Sequence, residues 1–355
     1  MKRVISAMLI VSLMTCRGGR ITRVSFAAVG DNLIHSSIYK GAAVGADFDF
    51  SPVYSGVSGI ISDADVSFVN QETMLGSGHY SGYPKFCSPY QVGAALYSAG
   101  FDVVNIANNH SLDLGEEGFL FTRDYLESLG FTVVGDGDVE IVEKNGIKIA
   151  FLAFTYATNY GVSPAVSRID ESNIRAQMAI ARERADVIIV SAHFGVEYDT
   201  PVYIGRIEPT VSQTETAKLL CSLGADVIIG THPHVLETAE WIEAGGHKAF
   251  CAYSLGNFVS NMRYDKTVLG GILTFDIVKS PLGVKIVSPK VIPTVCHYGK
   301  DHKGHTVYTL EEYTNALAAL HGTSVNGNER KFCKESLIEI YESNIDGQFR
   351  PRNYK

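Results

Sequence analysis

The feature that most constrains this chain is a recurring unit: a helix-like stretch, a glycine, then a short apolar run rich in β-branched residues. Tyr90 to Ala99 leads to Gly100 and then Phe101-Asp102-Val103-Val104-Asn105-Ile106. Gly118 to Leu129 leads to Gly130 and Phe131-Thr132-Val133-Val134. Ser212 to Leu223 leads to Gly224 and Ala225-Asp226-Val227-Ile228-Ile229. Glycine just past a helix end takes the left-handed cap without the steric cost of a Cβ. The runs that follow are near-continuously apolar, as strands covered on both faces are. Helices and strands alternating in this way predict an α/β fold. Ala185-Asp186-Val187-Ile188-Ile189 echoes Ala225 to Ile229, but two such units are too few for a repeat architecture.

Further strand candidates are Val24 to Val29, Asp65 to Val69, Ile147 to Phe154, Val187 to Ser191, Phe250 to Tyr253 and Leu269 to Val278. The last forms a hairpin with Val284 to Val287 across Ser280-Pro281-Leu282-Gly283, which predicts mixed sheets. From about Thr306 the texture changes, and residues 301–355 read as a helical C-terminal appendage, with helices over Leu310 to His321 and Cys333 to Ser343. At 355 residues and 46% hydrophobic, the chain can bury a full core as one large domain or two modest ones. A net charge of −8 argues against nucleic acid as a partner, because phosphate binding wants a basic face.

The first 22 residues read as a targeting segment. Lys2 and Arg3 precede an apolar stretch from Val4 to Met14, too short to span a bilayer as a mature helix but suited to a secretory signal. Leu13-Met14-Thr15-Cys16 resembles a lipobox, so export is expected, either with membrane attachment through a lipidated Cys16 or after cleavage of an ordinary signal peptide; the plain structural alternative is a buried first strand. Cys87, Cys221, Cys251, Cys296 and Cys333 are widely spaced and odd in number, without a C-x-x-C pair. They support neither a zinc ribbon nor a redox motif, and most read as small buried hydrophobes.

The chemistry gathers where the strands end. Val24 to Val29 runs into Gly30-Asp31-Asn32-Leu33-Ile34-His35, and Asp65 to Val69 into Asn70-Gln71-Glu72. Phe101 to Ile106 is followed by Asn108-Asn109-His110-Ser111-Leu112-Asp113, and Val187 to Ser191 by His193-Phe194-Gly195-Val196-Glu197. Val227 to Ile229 leads to Gly230-Thr231-His232-Pro233-His234, and Phe250 to Tyr253 to Ser254-Leu255-Gly256-Asn257. Ligands of α/β sheets bind outside the carboxyl ends of strands, where such loops meet. Singly, each residue has a plain structural reading: a turn or cap for Asp31 and Asn109, a helix cap for Asp113, a hydrogen-bonded histidine elsewhere. Jointly they predict a centre for one or two divalent metal ions, with manganese, zinc or iron suiting a mixed imidazole and oxygen donor set. Glu72 could bridge two cations and an Asn amide oxygen could ligate without adding charge. His79, His247, His297, His302 and His305 lack this placement and read as surface. There is no G-x-S-x-G elbow, Walker loop or dinucleotide fingerprint.

Together, Val29-Gly30-Asp31, Asn70-Gln71-Glu72-Thr73, Asn108 to Asp113, His193 to Glu197, Gly230 to His234 and Ser254-Leu255-Gly256-Asn257-Phe258 resemble the poly-γ-glutamate capsule-synthesis proteins of the CapA type. The resemblance runs from about Val24 to about Pro293 and defines a domain of residues 23–300. That family looks like a branch of the calcineurin-like metallophosphoesterases. The implied fold is a sandwich of two mixed β-sheets flanked by helices, α-β-β-α. By motif match, Asp31, Glu72, Asn109, His193 and His232 or His234 would be ligands, with His35 a further candidate. His110, with Asp113, would act beside the metals as proton donor or oxyanion stabiliser. Asn70, Glu197 and Asn257 would line the pocket. Where the phosphoesterase pattern opens D-x-H, here His35 comes four residues after Asp31, and Asn70-Gln71-Glu72 replaces G-D-x-x-D.

The resemblance implies an exported envelope protein that helps make, export or anchor an anionic γ-glutamyl polymer, alongside other envelope biosynthesis proteins. Three functions follow. The first is a metal-dependent hydrolase or transferase on a phosphoester or γ-glutamyl bond. The second is a non-catalytic polymer-binding scaffold that keeps the metal for structure. The third is a periplasmic-type metallophosphoesterase or nucleotidase acting on a small-molecule substrate.

Overall fold

The computed structural model describes residues 21–197, 206–323 and 332–354. Cys16 and the targeting segment up to residue 20 lie outside these. Strand β1 is Thr22–Asn32, β2 Val66–Gln71, β3 Val103–Asn105 and β4 Thr132–Val134; β5 is Glu140–Lys144, β6 Ile147–Thr155, β7 Val187–His193, β8 Val227–Thr231, β9 Ala239–Ala244 and β10 His247–Ala252. The chain then returns to the first sheet through β11 (Asn257–Val259), β12 (Leu269–Ser280), β13 (Gly283–His297) and β14 (Thr306–Thr309). The eight-stranded sheet runs β14-β13-β12-β1-β2-β3-β4, and β11 pairs with the end of β1. The six-stranded sheet runs β9-β10-β8-β7-β6-β5. Both are mixed: β1 is parallel to β2 and antiparallel to β12, while β7 is parallel to β6 and β8, and β10 is antiparallel to β9.

The second sheet shows why its strands read as unbroken apolar runs. Ile149, Phe151, Val187, Ile189, Val227 and Ile229 face the first sheet, with Phe151 stacked against Phe26 at 6.0 Å. The intervening Ala150, Leu152, Ile188, Val190 and Ile228 face the helices. Those helices are α3 (Glu171–Arg184), which follows α1 (Gln91–Ser98) and α2 (Gly115–Ser128) in the chain, and α4 (Val211–Ser222). Buried Ile174, Met178, Leu220 and Cys221 fill their inner faces. Helix α3 starts at Asp170, whose carboxylate accepts from the Ser172 and Asn173 amides. Helix α4 starts at a capping box between Thr210 and Gln213. Helices α1 and α2 cover the other sheet through Val92, Leu96, Phe119 and Leu126. The fold is therefore two mixed sheets packed face to face with helices outside.

Three local readings change. β1 extends to Asn32 because β2 and β11 continue to pair with it, so Asp31 sits in the strand rather than in a loop. Residues 301–355 are not only helical: Thr306–Thr309 is an edge strand on β13, and Lys334–Asn344 buries Leu337, Ile340 and Tyr341 in the main core. His305 is buried and His302 half-buried because their rings pack on Tyr298, and His297 is buried against Tyr308, Tyr313 and His321. His79 is exposed and His247 half-buried. All five described cysteines are free, and Cys333 alone among them is not fully buried. Among the described residues, no helix is long and apolar enough to cross a membrane.

Candidate metal centre

Strand register builds one wall of the site. Asn257, Asp31, Asn70 and Asn105 fall in a single row across β11, β1, β2 and β3. Side chains in a row like this face the same side of the sheet. Asn105 Nδ2 donates to Asn70 Oδ1 at 2.9 Å, and Asn70 Nδ2 donates to Asp31 Oδ1 at 2.7 Å. The row closes tightly because Gly30 has no side chain: a Cβ there would lie 1.9 Å from the Gly256 carbonyl oxygen. The same contact lets the Asp31 amide donate to Gly256 O at 3.0 Å.

The second sheet supplies the imidazoles. His193 ends β7 beside Thr231 of β8, and its Nδ1 lies 2.9 Å from Thr231 Oγ1. That contact turns Nε2 toward Asn109 Oδ1, 3.0 Å away. After Thr231 the chain turns sharply, with φ of 101° at His232 and 59° at His234. Non-glycine residues held at positive φ cost about 1–3 kcal/mol and persist where surrounding structure over-determines them. Here the His232 amide donates to Asp31 Oδ2 at 3.2 Å, and His234 Nδ1 lies 3.2 Å from the same oxygen and 3.0 Å from Asn257 Oδ1.

Two sets of possible ligand atoms result. Glu72, His193 and His232 form one; Asp31, Glu72 and His234 form the other, with each set spanning no more than 4.8 Å. Glu72 belongs to both. Its Oε1 is 3.8 Å from His193 Nε2 and 3.7 Å from His234 Nε2. Neither carboxylate oxygen of Glu72 has a hydrogen-bond partner, and neither does His232 Nδ1, although all are buried. Buried polar atoms are normally satisfied, so orphaned donor atoms converging on one point fit a cation.

Electrostatics agree with that fit. Burial, then the Asp31 charge, raises the Glu72 carboxyl well above its usual range. Burial, then the neighbouring imidazoles, holds His193 well below its usual value and His232 at about 3, so both present neutral lone pairs. Burial would lower His234 too, but Glu72 and Asp31 outweigh it and push it up to about 10. A proton on His234 thus offsets part of the charge that a cation would offset.

His110 and Asp113 stand at the margin. His110 Nδ1 is 2.8 Å from Asp113 Oδ2, which also accepts from the Phe86 amide at 2.7 Å. Asp113 is therefore not a helix cap; α2 begins after Leu114 with no side-chain cap. The carboxylate fixes the His110 ring, and the Phe86 ring meets it edge-on at 4.7 Å. His110 lines a cavity of about 450 Å³ that His234 also lines.

Asp31, Asn70, Glu72, Asn109, His193, His232, His234 and Asn257 are thus brought together. His35 is not among them. It belongs to neither ligand set and lines the cavity, accepting at Nδ1 from the Asn261 amide at 3.2 Å. Glu197 is exposed on the same cavity wall. The sequence reading missed Asn105 and Thr231, which hold Asn70 and His193, and Tyr156, whose ring lies 4.5 Å from that of His232. Asn105 and Thr231 were visible as polar residues at strand ends; nothing in the sequence marked Tyr156.

Residues 25–262 match the family described as "Bacterial capsule synthesis protein PGA_cap". The chain belongs to this family. The "PGA biosynthesis protein CapA" of Bacillus subtilis is 31% identical over 207 residues, covering 55% of this chain and 52% of that protein. The "Capsule biosynthesis protein CapA" of Bacillus anthracis is 30% identical over 224 residues, covering 56% and 51%. This PGA_cap chain thus spans about half the length of the curated relatives it matches. Among solved structures, the protein TT1561 of Thermus thermophilus overlaps 71% of this chain and 94% of its own at 9% identity with a TM-score of 0.38, too loose a likeness to argue from.

Proposed function

We propose that this PGA_cap protein is an exported envelope hydrolase or transferase whose two ligand sets, both including Glu72, would hold two divalent cations. Its substrate is a phosphoester or γ-glutamyl bond in an anionic cell-surface polymer or its precursor. The observation that carries the reading is the pair of ligand sets sharing Glu72, with both carboxylate oxygens lacking a partner. The two relatives' names, which speak of capsule and PGA biosynthesis, supply the polymer context. When bound, such cations polarise the group under attack and make water nucleophilic near neutral pH.

The chain's own residues do the rest. Asn70 and Asn257 orient Asp31 and His234, Thr231 orients His193, and the Asn109 amide oxygen stands beside His193 as a neutral donor. Such outer partners fix ring tautomers and the direction of each lone pair. Asp113 accepts a hydrogen bond from His110 Nδ1–H, so that the doubly protonated ring would use its Nε2–H to give a proton to a leaving group or to steady a developing oxyanion. Attachment through Cys16 would hold the protein at the outer face of the membrane, beside other envelope biosynthesis proteins.

The test is metal analysis of the purified protein with turnover screens on phosphoesters, nucleotides and γ-glutamyl amides. Bound manganese, zinc or iron, with turnover lost in His110→Ala, is expected. Absence of bound metal, or turnover untouched in His110→Ala, would count decisively against the reading. Hydrolysis confined to nucleotides would favour a nucleotidase. Metal without any turnover, and polymer binding retained in Asp31→Ala, would favour a scaffold.

A further inference from the structure

The cavity beside the cation cluster has lining that the ligand residues do not explain. Asn261, Met262, Arg263 and His302 line it together with His110 and His234. The segment carrying these last residues is pinned at nearly every position. Cys296 Sγ lies 3.4 Å from the Ser260 amide, and the Asn261 amide donates to His35 Nδ1 at 3.2 Å. His302 Nδ1 and His305 Nε2 each lie 3.1 Å from Asn261 Oδ1. Tyr298 donates its hydroxyl to Met262 O at 2.7 Å, and the Tyr264 amide donates to Thr267 Oγ1 at 3.1 Å. Three histidines and a tyrosine hold one short loop.

Arg263 is the exception. It is exposed, and its guanidinium makes no hydrogen bond or ion pair among the described residues. A rigid loop that presents an unpaired, permanently charged fork to a cavity is preorganised to receive an anion. Leu33 and Phe86 also line the cavity, and their apolar surfaces suit an aliphatic spacer. Glu197 lines the cavity as well, and its carboxylate disfavours a doubly charged phosphate more than a singly charged carboxylate.

We propose that Arg263 is a specificity residue that binds a substrate carboxylate separated by an aliphatic spacer from the group at the cation cluster. This rests on the reading of the cluster as a metal centre. The carboxylate belongs to a small dicarboxylic compound or to the end of a carboxylate-bearing chain, and the loop of residues 260–264 sets its distance from the centre.

The test is calorimetric titration of manganese-loaded protein with glutarate, which has two carboxylates, and butyrate, which has one. Wild type is expected to favour glutarate at least about tenfold, the scale of one good charge-assisted hydrogen-bonded pair. Arg263→Gln should abolish that preference while butyrate affinity, metal content and thermal midpoint stay unchanged. Arg263→Lys should keep only part of it, because an ammonium cannot make the paired contact. A preference absent from wild type, or unchanged in Arg263→Gln, overturns the assignment, as does a preference for phosphobutyrate that Arg263→Gln does not reduce. If wild type takes up no metal, the dinuclear reading fails by itself. Arg263 is then judged on glutarate binding to that protein, which Arg263→Gln must still weaken.

Discussion

Replacing Glu237 by glutamine should stabilise this protein above neutral pH. The side chain is fully buried; Oε2 accepts from Gln213 Nε2 at 2.6 Å, and Oε1 has no partner. Burial, only partly offset by that one hydrogen bond, pushes the carboxyl from 4.5 to about 8. The folded state therefore holds a proton that the unfolded chain releases between these values. Where the native state binds more protons, stability falls as pH rises, so the loss runs from about pH 4.5 to about pH 8 and then levels off. At about 1.4 kcal/mol for each pH unit, the full span is worth up to about 5 kcal/mol. Glutamine stays neutral and keeps an oxygen for Gln213, but its new amide lacks a partner at a cost of about 1–3 kcal/mol. Urea unfolding at pH 5, 6, 7 and 8 in chelator should show the variant level with or below wild type at the acid end. It should lead by a few kcal/mol at pH 8. A difference between the two proteins that stays constant across this range would refute the reasoning.

Three further outcomes follow from the site. Glu72→Gln should fold yet lose its response to metal: at a hundredfold excess over Kd, manganese should stabilise wild type by about 2.7 kcal/mol and the variant by nothing, read from thermal midpoints. His110→Ala should keep its metal by elemental analysis while turnover falls by about 10²–10⁴, the range for a positioned acid or base. Gly30→Ala should lose about 1–3 kcal/mol or more in urea unfolding and bind metal weakly, because its Cβ drives into the Gly256 carbonyl and displaces Asp31.

Much of the fold and the cluster was legible because both follow from period and position. Short, mostly apolar runs such as Ile147 to Phe154, set between glycine-capped helices, fit strands covered on both faces, and polar residues just past the carboxyl ends of such strands gather at one edge. That logic brings Asp31, Glu72, Asn109, His193, His232 and His234 together. It does not say which way a loop residue turns, so His35, four residues beyond Asp31, falls on the cavity wall. It also misses residues whose role depends on a neighbour distant in sequence. His302 and His305 look like surface histidines until Tyr298 supplies a ring to pack on and Asn261 a carboxamide to hold. Thr306–Thr309 reads as no strand by itself, since four residues pair only because β13 offers an edge.

Diffraction at the manganese absorption edge from manganese-soaked crystals tests the central claim most directly. The account predicts two anomalous peaks beside the Glu72 carboxylate, one near His193 and His232, the other near Asp31 and His234. A map with no peak in this cluster, or with cations that do not touch Glu72, would contradict it.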